Sequence, residues 1–115
     1  MPPSKARDDE LYDPRMAQVP ALAERTSASL DRRELLYQNR STRSSSRRGA
    51  ARLSLEEIRE VYRIDEVLAL PPPRQIGLFD DLLTSGAHFR AAKDLLLARF
   101  PEVPMTGIFL ARCLH

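Results

Sequence analysis

Two short apolar runs flank one block of helical period, and that order limits the fold more than any other feature of the chain. Gln75-Ile76-Gly77-Leu78-Phe79 and Met105-Thr106-Gly107-Ile108-Phe109-Leu110-Ala111 have the length and residue types of buried strands. Between them, from His88 to Phe100, the residues Phe89, Ala92, Leu96 and Phe100 recur at helical spacing, and Pro101 stops the helix. Strand, helix and strand with short connections make one βαβ unit. Strands joined in this way run parallel, and the crossover is right-handed in nearly all proteins. The predicted class is therefore α/β.

The rest of the chain is less regular. Asp13-Pro14 predicts a helix start, with Met16, Val19 and Ala23 on one face and a kink or restart at Pro20. Ser54 with Glu57 forms a capping box. Leu55, Ile58, Val61, Tyr62 and Leu68 then predict a helix to about Leu70, ended by Pro71-Pro72-Pro73. Residues 38–52, QNRSTRSSSRRGAAR, carry arginines unbalanced by any acid and almost no large apolar side chain, which predicts a mobile loop.

Composition narrows the functional classes. With 115 residues the chain suits one domain, 1–115. Its 18 Lys and Arg against 16 Asp and Glu leave a formal charge of +2, too balanced for a general nucleic-acid binder. The Arg/Ser stretch lacks the interleaved aromatics that stack on bases, so a nucleic-acid partner is not expected. No apolar run approaches the ~20 residues of a membrane helix, and MPPSKARDDE has no secretory apolar core. A single cysteine, Cys113, excludes an internal disulfide and reads as a free thiol without chemistry. A cytoplasmic location without membrane contact is the expectation.

The chemistry sits in Ile76-Gly77-Leu78-Phe79-Asp80-Asp81-Leu82-Leu83-Thr84-Ser85-Gly86-Ala87-His88. Asp80 and Asp81 fall where an apolar strand reaches its carboxyl edge, the ligand edge of open α/β sheets. Asp80 to Ala87 reads as a polar turn. Adjacent carboxylates beside an apolar strand need a partner, and ribose hydroxyls or a hydrated divalent cation would supply one. Thr84, Ser85, Gly86, Ala87 and His88 open the next helix, whose first N–H groups suit a phosphate. Gly86 permits positive φ and close approach of an anion. A diol or metal binder one short loop from a phosphate cradle matches a ribose 5-phosphate. No G-x-x-x-x-G-K-[ST] and no G-x-G-x-x-G is present. His88 and His115 read as surface side chains.

This stretch resembles the phosphoribosyl-pyrophosphate motif of type I phosphoribosyltransferases: apolar strand, two acids, two apolar residues, then Thr/Ser-Thr/Ser-Gly. The branch it most resembles is the competence-protein, amidophosphoribosyltransferase-like group. The specific match covers about a dozen residues, with a looser one over most of the chain. The resemblance implies a partial, Rossmann-like parallel sheet with flanking helices. It also implies that Asp80 and Asp81 bind ribose, with Mg²⁺ held indirectly through water or the sugar. Thr84, Ser85, Gly86, Ala87 and His88 would hold the 5-phosphate. His88 stands where the family has a small hydroxyl residue. Pro2-Pro3-Ser4-Lys5-Ala6-Arg7 resembles the pyrophosphate loop, so Ser4, Lys5 and Arg7 would meet pyrophosphate, and 38–52 lies where the family has its mobile catalytic loop. The family's first core strand should precede Pro2-Pro3, and none is found there.

The implied partners are phosphoribosyl pyrophosphate and a nitrogen acceptor that the sequence does not identify. The implied activity is phosphoribosyl transfer with Mg²⁺ as cofactor; no general base can be named. Two alternatives stand beside it. One is a non-catalytic sensor of the same metabolite. The other is an inactive truncated fragment, whose missing strand predicts an exposed sheet edge and self-association into a homo-oligomer.

Overall fold

A computed structural model describes residues 1–3, 5–26, 29–42, 53–83 and 85–112. Among the described residues the chain is mixed α/β, with three helices, a small parallel strand pair and a separate antiparallel pair. The elements in order are α1 (Arg15–Thr26), β1 (Leu36–Gln38), α2 (Leu55–Val61), β2 (Tyr62–Ile64), β3 (Ile76–Leu83), α3 (Ala87–Arg99) and β4 (Met105–Arg112).

The βαβ unit forms as its periodicity predicts. β3 and β4 pair in parallel from Ile76↔Met105 to Leu83↔Arg112, with α3 as the crossover. The ladder is extended at its start by the Ile76 N–H, which donates to the Pro104 carbonyl at 2.9 Å. Along α3, Ala91, Ala92 and Leu96 are buried, and Phe100 closes the helix with its N–H on the Leu96 carbonyl at 2.7 Å. These side chains join Ile58, Val61, Tyr62, Ala69, Ile76 and Leu78 in one core. Burying each large aliphatic contributes roughly 1.5–3 kcal/mol before chain entropy is subtracted.

Three boundaries differ from the sequence reading. The first is β3, which continues as a strand through Asp80 and Asp81 to Leu83, so the acids belong to a strand and not to a turn. Its ladder with β4 is long enough to hold them: Asp80 pairs with Phe109.

The second difference lies after the capping box. Ser54 and Glu57 cap each other as expected, the Glu57 carboxylate accepting from the Ser54 N–H at 2.7 Å and the Ser54 hydroxyl from the Glu57 N–H at 3.2 Å. The helix nonetheless ends at Val61, and Tyr62–Ile64 becomes a strand against Leu36–Gln38. Val61-Tyr62-Arg63-Ile64 is rich in β-branched and aromatic side chains, and a partner strand makes extension the better use of them. Asp65 then turns the chain, its carboxylate accepting from the Val67 and Leu68 N–H groups at 3.1 and 3.3 Å. Gln38, assigned by its sequence to the Arg/Ser loop, is the buried end of β1.

The third is α1, which runs through Pro20 as one helix instead of restarting there. β4 also departs from the expectation of a fully buried strand. Its residues alternate, and Ile108 and Leu110 on the outer face are 50% and 65% exposed. Among the described residues there is no strand before Leu36. No described helix is long and apolar enough to cross a membrane.

Candidate functional site

The period of two along β3 decides where the acids lie. Ile76 and Leu78 point into the core, so Asp80 is the next position on that inner face. It is half-buried, whereas Asp81 is exposed. The Asp81 N–H donates to the Asp80 carboxylate at 3.0 Å. Burial pushes the Asp80 carboxyl above the usual carboxylate range; the Met1 ammonium and the Asp81 N–H oppose this, and the neighbouring Asp81 carboxylate adds to it. The Met1 ammonium donates to the Phe79 carbonyl at 2.5 Å, and its own pKa is lowered by burial against the attraction of Asp80 and Asp81. The two acids thus share one small, partly desolvated region of positive and negative charge.

The turn after β3 leads into α3 through Gly86, the one described residue with positive φ, at 76°. In this left-handed conformation Gly86 is the N-cap and contributes no side-chain cap. A Cβ there would meet Leu83 only at an ordinary 3.8 Å, so backbone conformation and not space selects glycine. The Ser85 hydroxyl accepts a long hydrogen bond from the Ala87 N–H, at 3.4 Å. Thr84 and Ser4 lie outside the described residues, as do 43–52, Cys113 and His115.

His88 is placed differently from the surface position its sequence suggests. It is half-buried on the first turn of α3, and its Nδ1 lies 2.7 Å from the hydroxyl of Tyr62, the first residue of β2. The rings are tilted by 41° with centroids 6.0 Å apart, so they meet through the hydrogen bond and not by stacking. Tyr62 is 1% exposed. Burial, reinforced by the Asp80 carboxylate, pushes its phenol above the usual tyrosine range. Burial also pulls the His88 imidazole below its usual value.

β2, β3 and the start of α3 therefore bring Tyr62, Asp80 and His88 into one polar cluster on an otherwise apolar core. Sequence reasoning found Asp80 and His88 and missed Tyr62, which it placed among the apolar residues of a longer helix. The signal that could have found it is the aromatic hydroxyl itself: a buried tyrosine usually has a hydrogen-bond partner.

Lys5 and Arg7, expected at pyrophosphate, are engaged elsewhere. Lys5 lies 4.0 Å from Asp9. Arg7 lies 3.5 Å from Asp65, donates to the Glu34 carbonyl at 2.9 Å and stands over the Tyr37 ring. Among the described residues no three His, Cys, Asp or Glu side chains gather as a ready metal site.

The fold and this cluster define the class at its coarsest: a mixed α/β chain with a parallel βαβ unit and a polar cluster beside the loop that starts its crossover helix. No family model, no curated protein and no solved structure matches the chain.

Proposed function

We propose that this chain is a phosphoribosyltransferase-like protein. It binds phosphoribosyl pyrophosphate with Mg²⁺ beside the β3–α3 loop and transfers the phosphoribosyl group to or from a nitrogen acceptor. The observation that carries the reading is the placement of Asp80. It continues the buried face of a parallel strand, next to a second acid and a few residues from a helix entered through a left-handed glycine. A half-desolvated carboxylate held this way gains from a hydroxyl-rich or cationic ligand, which restores partners that burial removed.

In this reading Asp80 and Asp81 take the ribose hydroxyls, and the N–H groups of Gly86, Ala87 and His88, with the Ser85 hydroxyl and the residue at 84, take the 5-phosphate. The donor set suits Mg²⁺, because two carboxylates leave its remaining positions to water and substrate phosphate oxygens, its usual manner of binding. When bound, Mg²⁺ would supply positive charge to the departing pyrophosphate. The chain's own residues contribute orientation: a ribose held at two hydroxyls and a phosphate held at a helix start fix the anomeric carbon, and positioning of this kind can supply most of a rate enhancement. Lys5 and Arg7 would join the pyrophosphate end by exchanging Asp9 and Asp65 for it.

Calorimetry with phosphoribosyl pyrophosphate and Mg²⁺ tests the reading. Binding by the wild type and its loss in Asp80→Asn/Asp81→Asn is expected. No heat in the wild type, or equal heat in both, ends it. Among binders, release of pyrophosphate on addition of amine or base acceptors separates an enzyme from a sensor.

A further inference from the structure

We infer that the outer edge of β4 is a self-association surface: two copies of this chain pair β4 against β4, antiparallel about a two-fold axis at Ile108, and join their strand pairs into one four-stranded sheet. This surface is separate from the β3–α3 loop, so the inference does not rest on the sugar-phosphate reading.

The ladder shows which groups the edge presents. Among the described residues β4 pairs with β3 alone. The Pro104 carbonyl accepts from the Ile76 N–H, so by alternation Thr106, Ile108 and Leu110 turn their backbone groups toward β3. Met105, Gly107, Phe109 and Ala111 turn theirs outward. The register with β3 keeps a constant offset from Ile76↔Met105 to Leu83↔Arg112, so no bulge interrupts the edge. From Met105 to Ala111 the strand carries no charge and no proline. Charges, prolines and bulges are the usual devices that blunt a free edge, and this stretch has none of them. Its outer face adds Ile108 and Leu110, 50% and 65% exposed. A sheet of two strands is also small, against about four to six in most sheets.

The ends of the strand point to a second copy as the occupant. Glu102 stands just before β4 and Arg112 closes it, both exposed. Antiparallel pairing of two copies brings the Arg112 end of each to the Glu102 end of the other. Parallel pairing would set like charge beside like. A register centred on Ile108 opposes Met105 to Ala111 and Gly107 to Phe109, which uses every outward N–H and C=O of the stretch; a slip in either direction leaves some without a partner. The same register sets Ile108 against Ile108 and Leu110 against Thr106 across the seam, where side chains on one face lie closest and shield each other from water. A two-fold axis normal to the sheet keeps both α3 helices on one face, and a pair made by one edge of each copy closes at two.

Sedimentation equilibrium of the full chain tests the association, and cysteine cross-linking tests its register. The mass should rise with concentration from 13.1 kDa toward twice that value and no further. Ile108→Lys, at a half-exposed position, should keep the monomer fold by circular dichroism. It sets two like charges face to face on the axis, so dimerisation should weaken about tenfold or more. In a Cys113→Ser background, Ile108→Cys should oxidise readily to a cross-linked dimer, because directly opposed residues of this kind have Cα atoms about 4.5 Å apart. Leu110→Cys should not, since its two copies stand about 14 Å apart along the strands. A wild type that sediments as a monomer throughout overturns the inference without needing any variant to fold. So does growth beyond two copies, or a dimer that Ile108→Lys leaves unchanged. Leu110→Cys cross-linking as readily as Ile108→Cys is the pattern of a parallel pair, and it overturns the antiparallel register.

Discussion

The C-terminal βαβ unit and the N-terminal residues 5–42 are held by different forces. In the first, β3, α3 and β4 bury Ile76, Leu78, Ala91, Ala92, Leu96 and Phe100 against α2. In the second, Leu35 and Leu36 pack against that core, and polar staples hold much of the rest. The Ser41 hydroxyl accepts from the Ala6 N–H at 3.1 Å and donates to the Asp9 carboxylate. Arg33 donates to the Leu68 and Pro71 carbonyls at 3.1 and 2.7 Å, and Arg32 lies 3.2 Å from Glu24. Meanwhile α1 leaves Leu22 61% exposed. Apolar burial is cumulative and scales with area, whereas an exposed ion pair contributes roughly 0–1 kcal/mol. Global stability should therefore reside in the C-terminal unit, with the N-terminal region opening at lower free energy.

The largest expected effect tests that asymmetry. Leu96→Ala, at a site 0% exposed, should cost about 2–5 kcal/mol in urea unfolding. A loss under 1 kcal/mol would mean that α3 is not the keystone.

Gly107→Ala comes next. A Cβ there would stand 2.7 Å from Phe109 Cε2 and 2.8 Å from Phe89 Cε2, within an edge-to-face aromatic pair. Overpacking of this kind should cost about 1–3 kcal/mol, read by the same unfolding measurement. An unchanged midpoint would show that the interface between α3 and β4 is looser than its ring geometry implies.

A smaller, pH-dependent effect belongs to Asp80. Its folded-state pKa is raised, chiefly by burial, so the native state holds its proton more tightly than the unfolded chain does. Its contribution is thus destabilising above the ordinary value of 3.8 and vanishes below it. Asp80→Asn should be more stable than the wild type at pH 7, with the difference shrinking toward pH 3. The opposite trend in paired unfolding curves would mean that attraction to the Met1 ammonium outweighs desolvation. Stability gained with ligand binding lost is the expected signature of a functional carboxylate.

The smallest effect is expected in α1. Leu22→Ser should change stability by no more than about 0.5 kcal/mol, as for surface substitutions generally. A loss of 2 kcal/mol or more would show that α1 is part of the cooperative core.

Legibility in the sequence followed the same division. The βαβ unit was readable because its apolar positions repeat at 2 and 3.6 residues and prolines mark its ends. The capping box was readable because Ser54 and Glu57 are local partners. The end of α2 was not. Tyr62 fits a helical face and a strand equally well, and the choice came from Leu36–Gln38, more than twenty residues upstream. The continuation of β3 through two acids was hidden for the same reason, since Asp is a poor strand former and only pairing with Phe109 and its neighbours overrides it. Asp80 and His88 were identifiable as polar residues around a strand–helix turn. Tyr62 joins them from a distant element, through a contact that no local pattern encodes.

By itself the amino-acid order determined the parallel unit, the capped helix and the glycine turn, because each depends on residues a few positions apart. The tertiary structure decided which acid faces inward, which tyrosine reaches the histidine and where a helix gives way to a strand. Those outcomes depend on long-range pairing and on the loss of solvent around particular groups, and both exist only once the chain has folded.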